Sequence, residues 1–320
     1  LGEFDLIRRY FTHPARRADT LVAVGDDCAL LAPRPGRVLA VTTDTLVEGV
    51  HFFPGTDPRA LGHKSLAVNL SDLAAMGAEP AWVTLALTLP EPDETWLAAF
   101  ADGFLNLADR YHVDLVGGDT TRGPLAITVQ AMGFVDPDRV LRRDAARAGD
   151  AIYLTGELGL AGLGLKIARG EIAFDAHEAR EKLDRPEPRV QAGLALAGLA
   201  RAGIDVSDGL AADLGHILAT SGVGAALEYS ALPLPVCVRD YVASSGDWRM
   251  PLVAGDDYEL CFTLAPAREA DLQARLSELG CACARIGHIE ASPGLRLARD
   301  GAVIDLPTRG YQHFRPEPPA

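Results

Sequence analysis

Lysine is nearly missing from this 320-residue chain: Lys64, Lys166 and Lys182 are the whole supply among 30 basic side chains, and arginine makes up the rest. With 44 acidic side chains the net charge is −14, which argues against general affinity for nucleic acid or anionic membrane. Nowhere does a glycine-rich turn run into a Gly-Lys pair, so the P-loop and protein-kinase plans for handling phosphate are excluded. Long apolar runs are absent as well. None approaches the ~20 residues a membrane helix needs, and the first residues lack the pattern of a signal peptide, so a cytoplasmic protein is expected. The five cysteines are an odd number without CxxC spacing and lie mostly in apolar runs, which predicts buried free thiols. Cys281-Ala282-Cys283 has no second Cys or His pair near it to complete a metal site. EF-hand loop spacing is missing too, which disfavours a Ca²⁺ module.

What is present is enough apolar sequence, 48%, for two domains of ordinary size. The pattern restarts near residue 150, which predicts an N-terminal α/β domain over 1–148 and a C-terminal α+β domain over 149–320. The most informative stretch follows Val38-Leu39-Ala40-Val41, which reads as a buried strand. It then places Thr42, Thr43 and Asp44 where the run stops, followed by His51-Phe52. Oxygen donors on a rigid strand suit a hard cation such as Mg²⁺. Three other segments repeat the design. Gly25-Asp26-Asp27 follows the short strand 21–24, Gly117-Gly118-Asp119 follows Val113–Val116, and Ile204-Asp205-Val206-Ser207-Asp208-Gly209 runs into a helix. Each has a plain alternative, a solvated turn or a helix cap. Asp205 and Ser207, two apart, would face one side of an extended strand.

Between these segments, Asp57-Pro58 starts a helix expected to reach Gly77. Leu66, Leu70 and Leu73 form its core stripe and Ser65, Asn69 and Asp72 the next one, among small residues. Asp72 should therefore be half-buried and need a partner, either a cation or an arginine or cap. Strands are expected at 82–89 and 125–135, and a helix at 91–111. Arg139, Arg142 and Arg143 lie on a loop that hints at a phosphate clamp. Strand 150–155 leads into Gly156, Gly159, Gly162 and Gly164, which read as close helix packing, and Pro186 and Pro188 as a connector between helices. Ala254–Glu259 sets further acids before strand 260–264, and Arg309–Phe314 places two aromatics on a polar tail.

No single acid is decisive. Asp27, Asp44, Asp72, Asp119 and Asp205 gain weight together because each sits at a strand end or on a small-residue helix, where a solvated charge is not expected. Convergence of such carboxylates would bind more than one Mg²⁺, whose common partner is a nucleotide polyphosphate, and that implies phosphoryl transfer.

Taken in order, Gly25-Asp26-Asp27, Thr42-Thr43-Asp44, His51-Phe52, Asn69 to Gly77, Gly117-Gly118-Asp119-Thr120, Asp205 to Gly209 and Asp257-Tyr258-Glu259-Leu260 closely resemble the thiamine-monophosphate kinase family. The wider superfamily includes aminoimidazole ribonucleotide synthetase, selenophosphate synthetase and a hydrogenase maturation protein. The resemblance implies a homodimer whose N-terminal α/β halves join their sheets into a shared β-barrel, with ATP and several Mg²⁺ in the cleft between the halves. It implies metal ligation by Asp27, Thr42, Thr43, Asp44, Asp72, Asp119, Asp205 and Asp208, with Asp44, Asp72 and Asp119 as the catalytic set. Gly118, Asp119, Arg143 and Ser207 would contact ATP; His51, Asp256 and Tyr311 would line the thiamine phosphate pocket. The implied reaction is direct in-line transfer of the γ-phosphoryl group to thiamine monophosphate, the last step of thiamine diphosphate synthesis. The family usually reads Gly-Gly-Glu-Asp where this chain has Ala254-Gly255-Asp256-Asp257. That substitution keeps the charge and shortens its reach. A superfamily relative with another substrate and a non-catalytic acidic metal-binding scaffold are the competing readings. The short, cysteine-free stretch before Gly25 disfavours selenophosphate synthesis.

Overall fold

Apolar residues at alternate positions set the strands of this protein, and the glycines set how closely its helices approach. The computed structural model describes residues 2–308 and 310. In chain order the elements are α1 (Glu3–Leu6), β1 (Thr20–Val22), β2 (Leu30–Leu31), β3 (Val38–Val47), α2 (Pro58–Ala75), β4 (Glu79–Leu89), α3 (Glu94–Arg110), β5 (Asp114–Arg122) and β6 (Ala126–Val135). Then follow β7 (Ala151–Thr155), α4 (Leu160–Ala168), α5 (His177–Asp184), α6 (Val190–Leu196), β8 (Ala202–Asp205), α7 (Leu210–Ser221), β9 (Gly224–Glu228), α8 (Val236–Ser245) and α9 (Met250–Val253). The last are β10 (Leu260–Leu264), α10 (Glu269–Glu278), β11 (Cys283–Glu290), β12 (Gly294–Arg299) and β13 (Ala302–Asp305). Two compact units result. One holds the described residues up to Leu141 together with Asp184–Gly198, and the other holds Arg142–Leu183 and the described residues from Leu199 onward.

In the first unit four strands lie in the order β3-β6-β4-β5, with β4 and β5 parallel and the other neighbours antiparallel. Helix α2 begins as its sequence predicts: Asp57 accepts from the amides of Arg59 and Ala60, and Pro58 takes the first position. It is no surface helix. His63, Lys64, Ser65, Asn69 and Ser71 are buried along with its leucines. Close approach to α3 explains part of this. A Cβ on Gly62 would stand 2.1 Å from the Phe100 carbonyl oxygen, and one on Gly103 would stand 1.9 Å from that of Arg59. The two helices therefore meet backbone to backbone, at glycines on both sides. Gly103→Ala is expected to destabilise the unit by about 3 kcal/mol or more, since neither carbonyl can retreat without separating the helices; urea unfolding would measure it.

Segment 184–198 is the main departure from the expected organisation. Read from sequence as a connector inside the second half, it returns to the first unit, so the halves are not uninterrupted at 148. Gly193 lies against the Ala74 carbonyl, where a Cβ would come within 2.1 Å, and Gly77 lies against Ala197. His63 Nε2 is 2.8 Å from the Pro186 carbonyl oxygen. Arg110 and the Tyr111 hydroxyl both donate to the Glu187 carboxylate.

The second unit is built on seven strands in the order β13-β12-β9-β11-β7-β10-β8, antiparallel except for the β9–β12 pair. Its core includes Ile152, Leu163, Ile204, Leu214, Leu227, Ile286 and Leu297. The glycines after β7 serve close packing, as their spacing suggests: a Cβ on Gly162 would meet Ala254 at 2.3 Å, and one on Gly164 the Ala179 carbonyl oxygen at 2.2 Å. Both sheets are open, and among the described residues no sheet closes into the expected barrel. The expected burial of the thiols is met fully by Cys261 alone. Cys237, Cys281 and Cys283 are half-buried and Cys28 is exposed, in the loop that joins β1 to β2.

Candidate active site

Strand period and helix period meet where β3 crosses α2. Residues 42 and 44 share one face of the strand, and that face looks toward α2: the Thr42 hydroxyl donates to Asp72 Oδ2. One turn earlier on α2, the fully buried Asn69 accepts the Asp44 amide through Oδ1 (3.2 Å) and donates through Nδ2 to the Ser65 carbonyl (3.1 Å). Asn69 thus fixes the height of β3 against the helix. Burial and, second, the neighbouring Asp72 charge push the Asp44 carboxyl up to about 6. Just past the far end of β3, His51 Nδ1 accepts the Val47 amide at 3.0 Å.

Other candidates of this unit stand elsewhere. Thr43 points to the opposite face of β3, is exposed, and takes a long 3.4 Å bond from Gln130 Nε2. Asp119 shares a sheet row with Ala86, Thr128 and Thr45, on that same opposite face, and is exposed. It lies on β5, the other edge of the sheet, three strand spacings or about 14 Å from β3. Asp27 is exposed also, its amide bonded to Asp26 Oδ1 at 2.9 Å. The expectation that every acid of the set avoids solvent therefore fails for Asp27 and Asp119. Gly118 has a structural reason to be glycine: with φ +151, a Cβ would stand 1.8 Å from the Leu85 carbonyl oxygen. That close approach lets β5 pair with β4, and it accounts for the glycine without a phosphate.

In the second unit the turn between β8 and α7 brings Ser207, Asp208 and Asp256 together. Asp205 closes β8 opposite Leu260 and is buried. The strand stops there, so Ser207 belongs to a turn and not to the same strand face as Asp205. The Ser207 carbonyl accepts the Asp256 amide at 2.9 Å, and the Val206 carbonyl accepts the Tyr258 amide at 2.8 Å. Asp256 and Tyr258 adopt left-handed backbone, φ +68 and +48, a strained state for residues other than glycine. Tyr258 Oη lies 3.3 Å from Asp256 Oδ1. The three arginines that hinted at a phosphate clamp have different surroundings. Arg139 donates to the Ala197 carbonyl, Arg142 pairs with Asp144, and Arg143 is exposed with its charge acting on Asp213. Tyr311 lies outside the described residues.

Sequence reasoning missed Asp213, and it named Asp257 and Glu259 as acids of a motif without reading them as buried. Asp213 accepts the amides of Ser207 (3.0 Å) and Asp208 (2.9 Å) through Oδ2. Burial, the largest influence, pushes it up to about 7. Asp257 accepts the amides of Gly159 (2.8 Å) and Ala161 (3.3 Å), tying the start of α4 to the Asp256 loop. Glu259 accepts from Lys182 Nζ (2.6 Å) and Thr155 Oγ1 (2.8 Å). A sequence signal was available for Asp213, which is flanked by apolar residues, but spacing alone does not separate such acids from ligands. Burial raises Asp257 to about 7, against the pull of Lys182 and the two amides. A carboxyl raised above its unfolded value near 4 favours folding most below about pH 4, and that contribution is lost as pH rises toward 7. Asp257→Asn, which does not titrate, is expected to lose less stability between about pH 4 and 7 than the parent, measured by melting temperature across that range.

Among the described residues no group of three or more His, Cys, Asp or Glu side chains forms a ready-made metal cage. The Thr42, Asp44 and Asp72 set is smaller, all oxygen, and carries two carboxylates that repel each other. It fits Mg²⁺, which characteristically takes one or two carboxylates and completes its shell with water and substrate phosphate.

The model of the AIR synthase related protein family matches in two parts, its N-terminal domain over residues 25–135 and its C-terminal domain over residues 147–300. The chain belongs to this family. Within it, the similarity runs end to end to thiamine-monophosphate kinases. That of Salmonella typhimurium is 46% identical over 319 residues, 98% of either chain. The solved thiamine-monophosphate kinase of Stenotrophomonas maltophilia K279a superposes with a TM-score of 0.86 at 46% identity, covering 94% of this chain and 97% of that one. The structure of AaThiL complexed with AMPPCP and TMP superposes with a TM-score of 0.77 at 30% identity, covering 97% and 96%.

Proposed function

We infer that this protein is an ATP-dependent kinase that transfers the γ-phosphoryl group of ATP to thiamine monophosphate, giving thiamine diphosphate and ADP. The observation that carries this is the 46% identity to a thiamine-monophosphate kinase across 98% of both chains. The AaThiL complex supports it, because a protein 30% identical over nearly the whole chain is solved with AMPPCP and TMP.

Transfer is direct and in line. The acceptor phosphate is already anionic at neutral pH, so no protein nucleophile or strong base is required, and positioning and charge neutralisation carry the rate. Asp44 and Asp72, with the Thr42 hydroxyl, would hold one Mg²⁺, and Asp27, Thr43, Asp119, Asp205 and Asp208 would ligate further ions. Bound Mg²⁺ would neutralise the phosphate oxygens and orient them. Gly118, Asp119, Arg143 and Ser207 contact ATP; His51, Asp256 and Tyr311 contact thiamine monophosphate. The exposed Val38, Leu39 and Val41 on edge strand β3 support assembly as a homodimer through that edge, the place where a shared barrel would close. Cytoplasmic residence fits the reaction. No described helix is long and apolar enough to cross a membrane.

The test supplies ATP, Mg²⁺ and a panel of phosphate acceptors, thiamine monophosphate among them, and resolves the products. Thiamine diphosphate is the expected product; its absence, or a clear preference for another acceptor, overturns the reading.

A further inference from the structure

The turn that carries Ser207 and Asp208 is shaped by a group that follows it in sequence. Between β8 and α7 the chain passes through Gly209, whose φ of +106 suits glycine and whose absent Cβ would come within 2.8 Å of the Val253 backbone. Gly209 caps α7 without a side chain. An acid in the first turn of a helix ordinarily serves that helix's own first amides or the amide of its cap. Asp213 does neither. Its Oδ2 reaches past the cap to the two preceding residues and accepts the amides of Ser207 and Asp208. Two N–H groups converging on one carboxyl oxygen form a directional restraint.

The opposite side of the turn is restrained as well. The Ser207 carbonyl accepts the Asp256 amide, and Gly255 passes so close that a Cβ there would stand 2.2 Å from that carbonyl oxygen. Both backbone groups of Ser207 are thereby engaged. What Ser207 can offer a ligand is its hydroxyl, and the direction of that hydroxyl follows from the backbone that Asp213 holds. Asp213 is 3% exposed and lies beneath the turn, so it supports the turn without being placed to touch a ligand.

We propose that Asp213 is a positioning residue for nucleotide binding: by holding the Ser207 and Asp208 amides it sets the Ser207 hydroxyl and the Asp208 carboxylate toward the triphosphate. The proposal rests on the kinase reading above, in which Ser207 contacts ATP and Asp208 a metal ion. Asp213 acts through these two residues and not on the substrate itself.

The test compares Asp213→Ala, Asp213→Asn and Asp213→Glu in the full chain. The first readout needs no turnover: hydrogen exchange at the Ser207 and Asp208 amides in the ligand-free protein. Losing the acceptor in the Ala variant is expected to speed that exchange by about tenfold or more. The second is the affinity for AMPPCP by calorimetry, expected to fall about tenfold in the Ala variant and to stay within about threefold of the parent in the Asn variant, whose amide oxygen still accepts both bonds. The third is steady-state kinetics, in which KM for ATP should rise more than KM for thiamine monophosphate. The Glu variant keeps the charge but displaces the acceptor. It should lose affinity for AMPPCP even if the Ala variant does not fold. Parent-like AMPPCP affinity in the Ala or Glu variant, or equal losses in the Ala and Asn variants, would overturn the proposal. A parent protein that fails to bind AMPPCP would instead overturn the kinase reading, and this one with it.

Discussion

Replacing Asp72 by Asn, or Asp44 by Asn, is expected to cut thiamine diphosphate formation by about a thousandfold or more while leaving the fold intact. The two halves of that expectation have separate physical grounds. Each carboxylate is a hard-cation donor that the amide replaces poorly, and phosphoryl transfer has little besides charge neutralisation to lose. The fold, by contrast, is relieved. Asp44 is pushed up by burial and by the charge of Asp72, so neutralising either residue removes a repulsion the native state carries. In Asp72→Asn the Thr42 hydroxyl still finds an acceptor, because the amide oxygen stands in for the carboxylate oxygen it meets in the parent. Melting temperature at about pH 8 should therefore hold or rise as turnover disappears. Turnover at the parent's rate in either variant would count against the assignment of this pair, and a large fall in melting temperature would recast it as structural.

The second large effect is on stability. Lys182→Met removes the cation that meets Glu259, whose side chain is 1% exposed. Removing one member of a buried ion pair costs about 3–5 kcal/mol. In a unit of this size that corresponds to a fall in melting temperature of the order of 10 °C. The double variant Lys182→Met, Glu259→Gln should recover a good part of the loss, because no unpaired charge is then left inside, although Thr155 still asks for an acceptor. Thermal melting of the two single variants and the double variant measures the coupling directly. Full additivity would mean that the two side chains do not act as a pair. Because Glu259 closely follows the Asp256 loop, weaker thiamine monophosphate binding is expected alongside.

Much of this could be read before any coordinate was known, for identifiable reasons. Strands β4 and β6 were legible because long apolar stretches have few other fates, and α2 because Asp57-Pro58 announces a helix start with two independent signals. β3 was legible only as a strand: it does not stop at Thr42 but runs through Asp44 to Val47, and Val38, Leu39 and Val41, expected to be buried, are exposed. The pairing of β3 with Asn69 and Asp72 was legible in part. The stripe of Ser65, Asn69 and Asp72 implied a polar seam, but only the register of β3 on the helix shows that Thr42 and Asp44 face it and Thr43 does not. Exposure of Asp27 and Asp119 was misread because a glycine before an acid looks the same whether the turn wraps a ligand or, as at Gly118, lets two backbones touch. Asp213 escaped notice for a related reason. Reaching backward over a helix cap leaves no spacing signature in a single sequence. The return of segment 184–198 was illegible too, since Pro186 and Pro188 mark a break in structure and say nothing of which unit the chain joins next.

That return has a consequence for how the protein is made. A ribosome that has released residue 141 has not yet supplied all of the first unit, because the helix that lies against Ala74 is encoded about fifty residues later, after the second unit has begun. Folding during synthesis cannot close one unit before opening the next; each waits on the other's stretch of nascent chain.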